Sequence, residues 1–413
     1  MSSYLSQNRI ERIPHSDGLN LFYKISAVSL LSSMSRFPSI NLVSSLTQIN
    51  KVLKSFEYML TNNLNQPIFA GPVHLSKSGL LKKKHYNYGA YLAALSSFPI
   101  LHRFNKNYVF EAIFAKTAEI TSIKILDNIG DRLYEKSDAV DSQNKHLEAF
   151  TEKEFIMPKK QSFLGKAENS CYEIARWTFN TVWNRTPDHS FTWKIYLEDF
   201  QNYIDGQINS MSAKIKDEAK FKIKDYIQKV NEKSVGRVWI DIDFCLLEKA
   251  LGEMNDKDME TIYNTRKAVD YFFKGCNIYD DVADLEEDLS LNITNSVVLL
   301  ALDRGLIKEK DLEKDKKSLI EKLKNCKAIE DAIWLGDLIY IEGIKTLLKT
   351  YRSNEIVDVD GLIYGAKILR AFAIRKWMMH EKSISSFLNI IKSFGNHENI
   401  IIPDYIHEYH KYI

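Results

Sequence analysis

The chain has 413 residues, a formal net charge of +2, 45% hydrophobic and 27% charged residues. These are the proportions of a soluble globular protein long enough for one large domain or two ordinary ones. They exclude a globally basic nucleic-acid binder, since the basic residues are spread rather than gathered. No run of 18 uncharged apolar residues occurs, so no membrane-spanning helix is expected, and residues 1–18 lack an apolar signal region. A cytoplasmic location follows by default, with peripheral membrane association left open. Cys171, Cys245, Cys276 and Cys326 form no CxxC pair and read as free thiols of a reducing compartment.

In chain order, Pro14, Pro38, Pro67, Pro72, Pro99, Pro158 and Pro187 punctuate the first part, after which proline is absent until Pro403. That long stretch, rich in Leu, Ile, Lys, Glu and Ala, predicts consecutive long helices. The expected helices run over 18–35, 40–62, 88–98, 107–135, 145–156, 165–184, 192–232, 238–253, 257–289, 294–303, 310–324, 327–351, 359–379 and 381–394. The polar stretch from Glu135 to Ser162 reads largely as loop. Arg237–Ile242 alternates like a strand but equally reads as a helix start. The fold class is all-α, with residues 1–80 as an N-terminal helical layer, 81–400 as the main helical domain and 401–413 as a C-terminal tail. His407 and His410 lack a third ligand and belong to that tail.

Two helices carry unusual acid. Asp280, Asp281, Asp284, Glu286, Glu287 and Asp288 fall within nine positions, and no Lys or Arg follows until Arg304. Exposed helix faces ordinarily mix signs, because like charges one turn apart repel. Asp281, Asp284 and Asp288 fall within an arc of about 60°, with Asp280 at its edge. Hard oxygen donors in such a set suit Mg²⁺. The second element is the 107–134 helix, apolar over much of its circumference and hence central. Asp127 and Asp131 stack at i, i+4 near its end, above Ile120 and Ile123, with Lys116 further back, so the wall below them reads as aliphatic. Two such helices facing each other would hold several Mg²⁺ ions and, through them, a diphosphate.

With these residues in view, the sequence resembles the class I isoprenoid synthase superfamily of terpene synthases and trans-prenyltransferases. Asn277-Ile278-Tyr279-Asp280-Asp281-Val282-Ala283-Asp284 is similar to the second DDxxD motif of polyprenyl synthases. Read as Asp281, Asp284 and Asp288, the same stretch resembles the terpene-synthase metal triad, with Asp at the middle and last places. Leu126-Asp127-Asn128-Ile129-Gly130-Asp131-Arg132 resembles the LDNxxDR part of bacterial large-terpene synthases, with Lys124 where an Asp is expected.

The resemblance implies a helical bundle around a central cavity and three Mg²⁺ ions held by Asp127, Asp131, Asp280, Asp281, Asp284 and Asp288. It implies diphosphate contacts from Arg237, Lys274 and Arg132, and a lower-ranked role for Lys82-Lys83-Lys84 in holding isopentenyl diphosphate. Arg370 and Arg375 are placed to close over the site. The implied activity is ionisation and cyclisation of a prenyl diphosphate; the alternatives are a prenyltransferase that couples prenyl diphosphates, and a non-catalytic helical scaffold meeting a basic partner. Many members of that superfamily are dimers, so a homodimer is left open. Phosphate binding by a glycine-rich loop is not indicated, since GxGxxG and GxxxxGK[ST] are both absent.

Overall fold

The computed structural model describes residues 42–133, 136–186, 190–214, 222–291, 293–313, 315–352, 354–381 and 400–413, and every regular element among them is helical. The all-α expectation therefore holds. The helices expected over 18–35 and 381–394 lie outside the described residues, save Glu381 at the end of a helix. The 237–242 alternation lies inside a helix.

Helices α1 (Leu42–Asn63), α2 (Pro72–Lys77), α3 (Lys83–Leu101) and α4 (Lys106–Leu133) open the described chain. Then follow α5 (Lys136–Thr151), α6 (Phe163–Trp183), α7 (Phe191–Lys214) and α8 (Gly236–Leu251). The 36-residue α9 (Asp256–Leu291) precedes α10 (Ser296–Asp303), α11 (Lys316–Asn325), α12 (Ala328–Leu348), α13 (Val359–Glu381) and α14 (Asp404–His407).

Helix α4 is central, as its apolar circumference requires, and packs against α1, α3, α6 and α8. Its neighbours α3 and α6 run antiparallel to it. Asn128 Nδ2 reaches the Leu80 carbonyl at 3.0 Å, while Lys116 reaches Ser96 from the other end of the same interface. On the α6 side, Cys171 and Thr178 bond the carbonyls of Ser122 and Ala115. Consequently the start of α3, the end of α4 and the start of α6 share one end of the bundle. Phe56 of α1 joins this core through Tyr86, Phe114 and Trp177, with ring centroids 5.4–6.0 Å apart.

The long α9 packs along α12, and two glycines set the approach. A Cβ on Gly275 would lie 2.9 Å from the Gly336 carbonyl, and one on Gly336 would lie 2.5 Å from the Tyr279 ring. Helix α13 lies against both α9 and α3.

Three elements depart from expectation. Within the stretch read largely as loop, the helix expected over 145–156 begins nine residues earlier and ends at Thr151 as α5, whose inward stripe is Ser142, Gln143, His146 and Phe150; the polar members disguise its start as solvent-facing. The single helix expected over 192–232 does not persist. Residues 223–233 form an α turn, a π turn (Tyr226–Val230) and a 3₁₀ turn instead. This connector returns onto α7 and comes so close that a Cβ on Gly206 would lie 2.5 Å from the Glu232 backbone. Finally, the last residues pack rather than fray. Ile406 and Tyr409 are buried, the Tyr409 hydroxyl donates to Asp303 at 2.6 Å, and His410 pairs with Glu342 at 3.2 Å.

Candidate active site

The acidic end of α9 divides into two roles. Asp281 is buried, and its Oδ2 accepts the backbone N–H of Ser296, the first residue of α10, at 2.8 Å. Asn295 caps the same helix through Val297 N–H and donates its amide to the Asp281 carbonyl (2.7 Å) and to Asp288 Oδ2 (2.8 Å). Asp280, by contrast, is exposed, and Asp284 and Asp288 are half-buried. These three follow one another at i, i+4 and i+8, which makes a shallow stripe along the helix.

Electrostatics mark this stripe as rich in negative charge. Burial pushes the Asp288 carboxyl up to about 7; the Asn295 hydrogen bond opposes this, while Asp281 and Asp284 add to it. Burial also raises Asp281, against the nearby Lys233 and the Ser296 hydrogen bonds. Buried Tyr226 of the connector lies beside it, its phenol raised by burial and by Asp281. Lys233, Tyr226 and Asn295 are site residues that the sequence reading missed. Asn295 had a signal, an Asn-Ser pair just before the apolar run Val297–Leu302.

Asp127 stands on α4 with its carboxylate 3.5 Å from Lys124 Nζ, one turn back. Its charge reaches the buried Tyr203 phenol and the Cys171 thiol, placing it toward α7 and α6. Asp131 and Arg132 lie on the last turn of α4, their side chains outside the described residues. The face below Asp127 is not the aliphatic wall expected. Beyond Ile123 and Ile120 come Glu119 and Lys116, both fully buried. Lys116 forms an ion pair with Asp243 of α8 and donates to Ser96 at 2.8 Å and Ser97 at 3.3 Å. Burial, reinforced by Asp241 and Asp243, holds the Glu119 carboxyl far above its ordinary range, against the pull of Lys116.

Arg237 and Lys274 come together, but on carboxylates. Arg237 pairs with Asp270 (3.0 Å), which Lys274 also reaches (3.0 Å), and Lys274 further pairs with Glu232 at 2.5 Å. Burial pulls both cations down, yet Asp270 and its neighbours outweigh it, so both stay firmly charged. Arg370 forms a two-pronged pair with Asp337, at 2.8 and 3.0 Å, close to the rings of Tyr279 and Tyr340. Arg375's side chain lies outside the described residues.

A small apolar pocket of about 40 Å³ lies between α3, α8, α9 and α13, lined by Leu92, Leu95, Trp239, Phe272, Phe273 and Leu369 among others. Val269, Phe273 and Asp280 share one face of α9 within an arc of about 40°, so Asp280 stands about two turns above the pocket. Between them Cys276 feels the charges of both Asp280 and Arg370, although burial is the main reason its thiol is raised. Aromatic walls thus lie below an acidic stripe on the same helix.

The stripe has the chemistry of a Mg²⁺ site: hard carboxylate oxygens whose mutual repulsion a divalent cation relieves. Among the described residues, no three His, Cys, Asp or Glu side chains form a ready-made metal cage. Mg²⁺ does not need one, since it commonly takes one or two carboxylates and completes its shell with water and substrate phosphate.

The chain is similar in structure to solved enzymes of isoprenoid metabolism and to a reconstructed ancestral protein. The ancestral SVS_A2 protein is 13% identical, with 79% of this chain and 86% of that one covered and a TM-score of 0.48. Linalool/nerolidol synthase from Streptomyces clavuligerus, in complex with 2-fluorogeranyl diphosphate, is 12% identical over 81% of this chain and 98% of that one (TM-score 0.43). Geranylgeranyl pyrophosphate synthetase from the archaeon Geoglobus acetivorans is 13% identical over 79% and 98%, respectively (TM-score 0.46). No protein-family model matches the sequence, and no curated protein matches it.

Proposed function

We propose that this chain is a Mg²⁺-dependent terpene synthase, which ionises a prenyl diphosphate and cyclises the resulting allylic cation with release of diphosphate. The observation that carries the reading is the acidic stripe of Asp280, Asp284 and Asp288 on the same helix as Val269 and Phe273 of the apolar pocket. The pocket, at about 40 Å³, must widen to admit the hydrocarbon; its apolar lining would keep water away, and the faces of Trp239, Phe272 and Phe273 favour positive charge over neutral carbon. The C–O bond breaks with its electron pair leaving on the diphosphate; ring closure follows, and the cation either gives a proton to the released diphosphate or is captured by water, whose proton goes to the same diphosphate. Mg²⁺ held by Asp280, Asp284 and Asp288, with Asp127 and Asp131 as the second acidic pair, supplies charge neutralisation of the leaving group. Arg132 is proposed as a further phosphate contact. Arg237 and Lys274 would act on diphosphate only by exchanging Asp270 for it, so they rank below the stripe.

The test is incubation of the purified protein with prenyl diphosphates of graded chain length and Mg²⁺, with and without isopentenyl diphosphate. A cyclic hydrocarbon or alcohol together with free diphosphate is expected. Consumption of isopentenyl diphosphate to a longer diphosphate reassigns the chain as a prenyltransferase. No turnover of any substrate sinks the enzyme reading and leaves a helical scaffold.

A further inference from the structure

No Asp or Glu occurs between Glu57 and Glu111, while that stretch holds Lys77, Lys82, Lys83, Lys84, Arg103 and Lys106. The lysine run sits where a helix tolerates it least. Lys82 is the N-cap of α3 and Lys83 its first residue, with no side-chain cap and no acid in the first turn. Helix N-termini carry partial positive charge, so three lysines there add repulsion that Asp or Glu would relieve. The field is felt locally. His85 falls to about 4, chiefly through burial and further through Lys124, Lys84 and Lys82. Lys83 does pair with Glu57 at 2.9 Å, but on an open surface where such pairs contribute little.

Large apolar side chains stand beside this charge. Ile68 is 40% exposed, Val73 61%, Ile156 78% and Phe163 44%. They come from two chain segments, one running from the loop at Ile68 into α2 and one from the loop at Ile156 to the start of α6, that one side chain fastens together: the buried Asn169 amide donates to the Ile68 carbonyl at 3.1 Å and to the Pro158 carbonyl at 2.9 Å. Ala70 N–H bonds the Lys166 carbonyl at 3.0 Å across the same seam. The second loop adds exposed Lys159. Of the nearby acids, Glu168 is buried on Lys160, and Glu152 lies with its carbonyl on Arg176, about 10–15 Å along α6 from the seam. Exposed Glu154 lies two residues before Ile156 and is the one acid of this loop close to the face.

We propose that this face, formed by residues 66–84 and 156–163, docks on a bilayer containing anionic lipid. Ile68, Val73, Ile156 and Phe163 enter the headgroup region, and Lys77 and Lys82–Lys84 meet the phosphates. A free phosphate or diphosphate would engage the lysines but leave four exposed apolar side chains without purpose. A lipid surface uses both. The face lies at the end of the bundle that carries Asp127, because the start of α3, the end of α4 and the start of α6 meet there. The inference is independent of the enzyme reading.

Flotation of the full chain with phosphatidylcholine vesicles, alone or with about one third phosphatidylserine, tests it. The chain is expected to float with the anionic vesicles at low salt, not with neutral ones, and to be released by high salt. The triple variant K82E/K83E/K84E should lower the apparent affinity about tenfold or more. The variant I68S/I156S should weaken binding several-fold while leaving its salt dependence unchanged. All altered side chains are exposed, and unchanged circular dichroism and Tm confirm folding. The proposal is overturned by absence from anionic vesicles, by equal binding to neutral ones, or by indifference to either variant. Release by inorganic diphosphate at constant ionic strength would mark the lysines as a discrete phosphate site and overturn it too. So would equal binding of an oligonucleotide that needs the lysines but not Ile68 or Ile156.

Discussion

The Asp281 carboxylate and the Ser296 backbone N–H meet at 2.8 Å, so this aspartate of the acidic run is the anion that α10 uses to begin. A carboxylate at a helix N-terminus satisfies an orphan donor and complements the helix dipole. Its neighbours Asp280 and Asp284 face outward on the same turn of α9.

Asp281→Ala and Asp284→Ala should therefore fail differently. The first removes a buried acceptor from Ser296 and should lower unfolding free energy by about 1–3 kcal/mol. The second, at a half-buried position that caps no helix, should cost less stability than the first and remove Mg²⁺-dependent turnover. Denaturant unfolding alongside diphosphate release separates them. Equal destabilisation by both would show that the stripe is wholly structural.

This division explains what the sequence could and could not reveal. The charge run and its helix were legible because like charges without local partners are rare on one face. Which flank of the arc a neighbouring helix would occupy was not, since Ser296 lies fifteen residues on and reaches Asp281 only after the chain turns at Asn295. Helices α4 and α9 were visible in their period and in the lack of proline. The first half of helix α5 was hidden because its inward stripe is Ser142, Gln143 and His146, which look solvated until Ser122 and Glu168 are seen to meet two of them. The ionic floor under Asp127 was hidden for a related reason. Lys116 and Glu119 lie on a largely apolar helix, and the carboxylates that meet them come from α8, more than a hundred residues later: Asp243 pairs with Lys116, while Asp241 and Asp243 repel Glu119.

Lys116 and Asp243 supply a second contrast. Lys116→Met leaves Asp243 buried with the Ser96 and Ser97 hydroxyls but no cation beside it, and should cost about 3–5 kcal/mol. The double variant Lys116→Met/Asp243→Leu removes both charges and should recover most of that loss, because well-packed apolar side chains commonly replace a buried pair without penalty. A double-mutant cycle by urea unfolding checks it; a double variant as unstable as the single one would mean that Ser96 and Ser97 hold the structure rather than the pair.

The Asp288 carboxyl gives a pH dependence that Mg²⁺ should reverse. Its value rises from 3.8 to about 7 on folding, so the folded chain binds this proton more tightly than the unfolded one. Without metal, this group's contribution is fully present below pH 4 and is lost as pH climbs toward 7. Mg²⁺ needs the ionised form, so its apparent affinity should fall about tenfold for each pH unit below 7. The rise in Tm on adding Mg²⁺ should be larger at pH 8 than at pH 6. A rise that does not change between these values, or that persists in Asp288→Asn, would place the metal elsewhere.

His146 titrates in the opposite sense. It is buried between α5 and α6, with Ser122 Oγ 3.2 Å from Nε2 and the rings of Phe150 and Tyr172 on either side. Burial lowers its imidazole from 6.5 to about 3, so the fold holds the neutral ring and resists its protonation. The stabilising contribution is fully present above pH 6.5 and is lost as pH falls from 6.5 toward 3, at up to about 1.4 kcal/mol per unit. His85, lowered to about 4, adds a smaller share across part of that window. Replacing the imidazole with a group that does not titrate, as in His146→Gln, should lower stability at pH 8 through imperfect packing. It should also flatten the slope between pH 6.5 and 4 relative to the parent. Urea midpoints measured across that range distinguish the two effects, because packing shifts every midpoint alike whereas linkage changes only the slope. An unchanged slope would assign the acid sensitivity to other groups.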